Sequence, residues 1–360
     1  MSGSISGMGF SALGQLTAGL TLIKKNFDTL TEQASSGMIS NTYAGLNGTA
    51  SIALALGPRI DNLQVTQSNI AAASGPASVT QTAMRQISSI AANLLAQMPN
   101  LTSLNSTGID VIAANARSDL AQVGDLLNTQ YGGTYVFAGQ DSSNPPVPNP
   151  DNITTSGFFT QISAAVSSLS TNGSAVTVAA TLTMASSNAA GTSPFSTYMS
   201  QPTTGLSPPS VSTGDGQSQT IGLLASGNTS AVSTGTSTTG SYMRDLMRAL
   251  ATVGSLTSGQ ASDPNFAALI SDTQTSVTGA ITAMSTDVGI LGQQQSNLTI
   301  LSTTLSDTST VLSTQLSSAR EVDMATTLSN LSLTQTQLQE SYQLIAAANG
   351  MSLAKFLPAG

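Results

Sequence analysis

The sequence predicts a mainly α fold: long N- and C-terminal helices paired as a coiled-coil-like bundle, with a central β-rich or irregular insert domain. Three observations carry this expectation. Apolar residues recur at alternating spacings of three and four near the N-terminus. The same repeat runs without a slip from Val277 to Leu316. Between the two, both periodicity and charge fall away, and Asp215 is the only charged residue from 152 to 240.

The first seam is Leu13, Leu16, Leu20, Ile23, Phe27 and Leu30, a seven-residue repeat that places all six side chains on one helix face. Gly37 and the stretch Gly45, Leu46, Asn47, Gly48 interrupt it, as glycine interrupts helices generally. Helical spacing resumes at Ile60 and Leu63, and again at Met84, Ile87, Ile90 and Leu94, with Pro76 and Pro99 read as punctuation. A further stripe holds Ile112, Ala116, Leu120, Val123 and Leu127. Pro145, Pro146, Pro148 and Pro150 mark a boundary. Beyond them, 173–184 and 195–199 read as strand-like patches. The segment is either a small β-rich domain, with Phe158, Phe159, Val176, Val178, Leu182, Phe195 and Leu223 as its core, or a low-complexity polar loop.

Helix returns near Ser241. The long seam is Val277, Ile281, Met284, Val288, Leu291, Gln295, Leu298, Ser302, Leu305, Ser309, Leu312 and Leu316. At about 1.5 Å per residue it spans roughly 60 Å. A second seam then starts in a new phase with Met324, Leu328, Leu331, Gln335, Leu338, Tyr342 and Ile345, so 320–323 reads as a joint. The expected division is 1–40, an N-terminal helix; 41–142 and 241–320, two halves of a helical domain; 143–240, a variable surface insert; and 321–360, a C-terminal helix. Two end helices with unsatisfied apolar faces must pair, most economically with each other.

Composition narrows the chemistry. The chain has no Cys and no His, which removes thiolate nucleophiles, disulfides, Cys or His metal sites and imidazole acid–base catalysis. Charged residues are 7%, against about 25% in ordinary soluble domains, so copies packed side by side would repel little. The net charge is −8 with dispersed basic residues, which argues against nucleic-acid binding. No apolar run approaches the roughly 20 residues that insert into a bilayer, and the N-terminus lacks the features of a cleaved secretory signal.

Two terminal motifs resemble the bacterial flagellin family, which includes filament flagellins and hook–filament junction proteins. At the N-terminal end the match is Leu30, Thr31, Glu32, Gln33, Ala34, Ser35, Ser36, Gly37, a helix closing on a Ser-Gly turn. At the other end it runs from Val322, Asp323, Met324 and Ala325 through Leu338, Ser341 and Tyr342 to Met351, Ser352, Leu353, Ala354, Lys355, Phe356, Leu357. The resemblance implies a helical polymer of this chain. The end helices would line its inner tube, 41–142 and 241–320 would form an outer tube, and the insert would face solvent. It further implies an extracellular location in the flagellum and export by the flagellar type III apparatus with a chaperone. Contacts with hook-associated and capping proteins, and a role in swimming, follow from the same likeness. It implies no enzyme, no cofactor and no metal.

Polymerisation residues expected on this basis are Phe10, Leu13, Leu16, Leu20, Ile23, Phe27, Leu30, Leu328, Leu331, Leu338, Tyr342, Ile345, Phe356 and Leu357. The family-motif turns are Ser36 and Gly37 and, further on, Tyr135, Phe137 and Gly139. The stretch 128–139 resembles junction proteins, whereas the Ser/Thr-rich insert and the length fit a filament subunit. A phage-tail or secretion-system coiled-coil protein would share the composition but has no reason to carry both terminal motifs. Sharper chemistry fares worse. Ser352 and Lys355 match an isolated Ser-x-x-Lys pattern. Asp119 with Asp125 reads more simply as solvated helix acids than as a catalytic pair, and Arg320 beside Glu321 and Asp323 reads as a local salt bridge.

Overall fold

The computed structural model describes the backbone of residues 6–354 except 104, 105 and 215, and side chains over 14–347 except 103–107, 203 and 215. Helix dominates. In chain order the elements are α1 (Ser6–Ser36), α2 (Ala50–Ser103), α3 (Ser106–Leu127), the hairpin β1 (Gln130–Tyr131) and β2 (Thr134–Tyr135), then α4 (Gly157–Ser167) and α5 (Leu169–Ser186). A second hairpin, β3 (Ser210–Gly214) with β4 (Gln217–Thr220), precedes α6 (Tyr242–Gly254), α7 (Phe266–Arg320) and α8 (Met324–Ala354). Both hairpins are antiparallel and two-stranded.

The chain divides into two compact units. Residues 1–64 and 306–360 form the first, and 65–305 the second. In the first unit α1 packs along α8. Its fully buried side chains are few and mostly small: Leu46, Ala53, Ile60, Ala319, Thr327 and Thr334. In the second unit one continuous apolar core draws on α2, α3, α7 and the whole segment between α3 and α7.

The long seam of α7 is as expected. Val277, Met284, Leu291 and Leu298 are buried, and every other position of the repeat through Leu316 is half-buried. The stripe of α3 is buried throughout. The outer face of α7 is lined with threonines whose hydroxyls donate back to the carbonyl four residues earlier, among them Thr275, Thr278, Thr282, Thr286, Thr299 and Thr303.

Three expectations require correction. The patch 195–199 is turn and not strand. Pro76 and Pro99 do not punctuate: α2 runs through them for 54 residues. Its seam, Ile70, Ala73, Ala77, Thr80, Met84, Ile87, Ala91, Leu94, Met98 and Leu101, is buried at every position. Burial along that unbroken repeat outweighs the lost N–H of each proline, roughly 3 kcal/mol in an isolated helix. The patch 173–184 is not strand but the body of α5. Its Val and Thr residues favour strand locally, but α5 packs against α4 and α6. The buried Thr177 and Thr181 satisfy their hydroxyls on Gly173 O and Val178 O. Of the insert, only the β3–β4 hairpin is strand.

Candidate assembly interface

In the first unit, α1 ends where the sequence places the Ser-Gly turn. Gly37 adopts φ 71°, the left-handed conformation glycine tolerates, and its N–H reaches Gln33 O at 2.8 Å. The Ser36 hydroxyl accepts from Met38 N at 3.2 Å. The turn then forms an antiparallel bridge between Met38 and Glu321. Val322 N donates to Gly37 O at 3.0 Å and Ile39 N to Arg320 O at 2.7 Å. The Thr49 hydroxyl adds a bond to Ala319 O at 2.8 Å. The joint between α7 and α8 is therefore clasped by the turn that closes α1.

Asp323 caps α8. Its carboxylate accepts from Ala325 N at 2.9 Å, Thr326 N at 3.2 Å and Thr326 Oγ1 at 3.1 Å. Those bonds, led by the Thr326 amide, hold its pKa below the usual carboxylate range. The expected local salt bridge does not form: neither Asp323 nor Glu321 is ion-paired with Arg320, whose Nε is buried without a partner. The cap wins because it satisfies orphan amides at the start of a helix that nothing else in the sequence supplies.

Along α1, Leu16, Leu20, Ile23, Phe27 and Leu30 are all half-buried, on the face the repeat specifies. On α8 the phase differs from expectation. The inward row is Thr327, Leu331, Thr334, Leu338, Ser341 and Ile345, so Leu331, Leu338 and Ile345 sit on the seam. Leu328 and Tyr342 are each 51% exposed and flank it. Two apolar rows compete on α8. Threonine can occupy the inner one because its hydroxyl bonds the helix itself, as Thr334 does to Asn330 O at 2.7 Å. The outcome is a set of large apolar side chains that stay exposed: Leu22 on α1 and Leu328, Leu333, Tyr342 and Leu344 on α8. A groove of about 580 Å³ runs between the helices, lined by Leu16, Leu20 and Ile23 on α1 and by Gln337, Glu340 and Leu344 on α8. Of the other expected residues, the side chains of Phe10 and Leu13 lie outside the described residues. So do Phe356, Leu357 and the Ser352 and Lys355 pattern.

The second motif turn lies in the second unit and faces its core. Gly132 and Gly133, both at positive φ, close the β1–β2 hairpin. Tyr135 is half-buried and its N–H donates to Ser142 O at 2.8 Å. Phe137 is fully buried and its carbonyl accepts from Ala225 N at 3.0 Å. At Gly139, φ 61°, an added Cβ would lie 2.8 Å from Ser207 O. These residues fasten the turn after α3 to later parts of the insert, at Ala225 and Ser207.

Sequence reasoning missed what holds this unit together. All thirteen residues of α6 are buried, including Arg244, Asp245 and Arg248. Arg244 donates to Ser226 O, Ala185 O, Ser187 O and Asn188 Oδ1, and its guanidinium lies 5.2 Å from the centre of the Phe195 ring. Arg248 donates to Ser237 O and Ser276 Oγ at 2.8 Å, with Asp272 at 3.8 Å. Burial lowers the pKa of both guanidiniums, without taking either out of the charged form. On α7, Asp287 is 1% exposed and accepts from Thr229 N (3.0 Å), Ser230 N (2.9 Å), Ala231 N (2.7 Å) and the Tyr242 hydroxyl (3.0 Å). Burial first, and then the Asp287 charge, raises the Tyr242 pKa well above its ordinary value. A signal for this site existed: Asp287 is the only charged residue between 273 and 306. Asp119 and Asp125 form no comparable site. Burial raises both pKa values, helped at Asp125 by Asp151.

Among the described residues no cluster of three or more acidic, His or Cys side chains is placed to hold a metal, and no helix is long and apolar enough to cross a membrane. Compared with known families, residues 12–142 match the bacterial flagellin N-terminal helical region, and 275–357 match the bacterial flagellin C-terminal helical region. The two matches together cover more than half of the chain. No curated protein matches it.

Proposed function

As the chain belongs to the bacterial flagellin family, a family of structural proteins, we propose that it is the subunit of a flagellar filament, polymerising through α1 and α8 into the propeller for swimming. The observation that carries this reading is the set of exposed apolar side chains of the first unit. Leu22, Leu328, Leu333, Tyr342 and Leu344 are 51–65% exposed on helices already paired with each other. Large apolar side chains left outside a finished helix pair are what a self-associating surface requires. Leu16, Leu20, Ile23, Phe27, Leu30, Leu331, Leu338 and Ile345 would set the geometry of that surface, and Leu328 and Tyr342 would touch the neighbouring copy. The chain would act without catalysis, outside the cell, after export through the flagellar type III apparatus with a chaperone. Hook-associated and capping proteins would meet it at the two ends of the polymer.

A second reading, the hook–filament junction protein of the same family, is favoured by the Tyr131, Gly132, Gly133 hairpin and the stretch that follows it to Gly139. Immunogold electron microscopy of detached flagella with an antibody to residues 150–240 separates the two. Label along the whole length supports the filament subunit, and a single band at the hook end supports the junction protein. Label absent from flagella would overturn both. Removing residues 1–40 or 321–360 is expected to abolish polymerisation of purified protein.

A further inference from the structure

Asn47 is the only non-glycine residue with positive φ among the described residues. Its backbone, φ 47° and ψ −116°, lies in a short 3₁₀ segment, Tyr43–Thr49, where it breaks the helical geometry. In an L-residue the Cβ sits about 120° from the backbone nitrogen around the Cα–C bond, on the negative side. A ψ near −120° therefore eclipses the next residue's nitrogen with Cβ. At −116° the Gly48 nitrogen lies almost in the plane that contains Asn47 Cβ, as ring closure onto the side chain requires. Most residues avoid this arrangement. Here the fold enforces it, between the buried Leu46 and Thr49, whose hydroxyl is bonded to Ala319 O.

We propose that Asn47 and Gly48 form a site of spontaneous deamidation, primed by the fold. The Gly48 nitrogen attacks Asn47 Cγ and forms the N–C bond of a five-membered imide. The Cγ–NH₂ bond breaks, and ammonia leaves with the proton lost by Gly48. Water then opens either imide carbonyl, giving an aspartyl residue or a β-linked isoaspartyl residue. Both residues are exposed, so water has access. Glycine supplies the least hindered nucleophile, and the fold gives no other reason for it at 48: φ is not positive there, and an added Cβ would meet nothing within 4 Å. The reaction adds a negative charge and, in the isoaspartyl product, one backbone carbon between Leu46 and Thr49. It changes the first unit irreversibly as each subunit ages.

The chain contains its own control. Asn172 and Gly173 repeat the dipeptide at a kink within α5, also with an exposed Asn; Gly173 leaves helical geometry there, at φ 78° and ψ 166°, but Asn172 does not. Helical ψ, about −42°, holds the following nitrogen far from the eclipsed position. The test is peptide mapping by mass spectrometry of the purified full-length chain, incubated in ¹⁸O water at mildly alkaline pH, folded and in urea. Folded protein is expected to gain ¹⁸O-labelled aspartyl and isoaspartyl several-fold faster at 47 than at 172, and urea should equalise the two sites. Equal rates in the folded chain, or a rate at 47 that rises in urea, would overturn the proposal. Gly48→Ala should keep the melting temperature and suppress the label at 47. Unchanged labelling in that variant would also overturn it.

Discussion

The two units of this molecule treat apolar side chains in opposite ways. In 65–305 every large member of the core, from Met84 and Phe137 to Tyr242 and Leu250, is at or near zero exposure. One helix, α6, is buried at every residue, and its Arg244, Asp245 and Arg248 side chains are hydrogen-bonded, although Arg248 Nε has no partner. In 1–64 with 306–360 the seam of α1 stays half-buried, the inner row of α8 holds threonine, and leucines and a tyrosine stand outside. The second unit has a large closed core, although Val111, Val176, Val232 and Ile300 stand exposed on its surface. The first has no such core, and under the proposed function copies of the chain would supply the missing cover.

The contrast can be broken most forcefully at Asp287. Asp287→Ala strips the acceptor from the amides of Thr229, Ser230 and Ala231 and from the buried Tyr242 phenol, and should destabilise the second unit by roughly 3 kcal/mol. Urea unfolding followed by tyrosine fluorescence measures this, and an unchanged midpoint would refute the role given to the carboxylate. Next, Leu120→Ala should cost about 2–5 kcal/mol, the range for a fully buried leucine. Leu20→Ala, on a half-buried seam, should cost about 1 kcal/mol or less in the monomer, since less apolar area is lost from cover. It should nonetheless raise the protein concentration needed for polymerisation. Equal losses in the two monomers would erase the distinction between the units.

A subtler probe is Leu328→Ser with Tyr342→Ser. Monomer stability should stay within about 0.5 kcal/mol, as for exposed sites generally. Sedimentation should nonetheless show polymer formation shifted to higher concentration; unaltered assembly would remove these residues from the interface. The smallest effect is pH-dependent and opposite in sign between the units. The folded pKa of Asp323 is lowered, so its cap stabilises α8 fully above the unfolded value of 3.8, and this stabilisation is lost as pH falls through the folded value. Asp119 and Asp125 have raised pKa values, so the fold binds their protons more tightly and loses that advantage as pH rises through them. Acid should therefore fray α8 before it harms the second unit. Asp323→Ser, which can still cap, should flatten the pH dependence of helicity.

The parts of the fold that could be read from sequence are those governed by a local period. The α7 seam and the α3 stripe needed nothing beyond spacing, and the Ser36 and Gly37 turn needed only the conformational freedom of glycine. The prolines misled because their penalty is local while the burial that overrides it is shared along the whole of α2. Residues 173–184 misled because Val and Thr suit a strand until α6 offers a helical packing face. The phase of α8 was ambiguous at its root: both candidate rows carry the seven-residue repeat, and only pairing with α1 chooses between them. The polar frame around α6 was hard to read because its partners are scattered: Arg248 reaches Ser237, 11 residues away in the chain, and Thr181, 67 residues away. No window of sequence shows that Asp287 will meet the amides of Thr229, Ser230 and Ala231.

The threonine rows on α7 have a consequence for the surrounding medium. A hydroxyl that donates to its own helix spends its one proton there and can only accept from water, so the face is less hydrophilic than its composition suggests. Between 273 and 306 that face also carries no exposed charge, since Asp287 is buried. Dissolved ions act on proteins chiefly by screening charges, and here they find almost nothing to screen. Contacts made across such a face should hold alike in fresh and saline water.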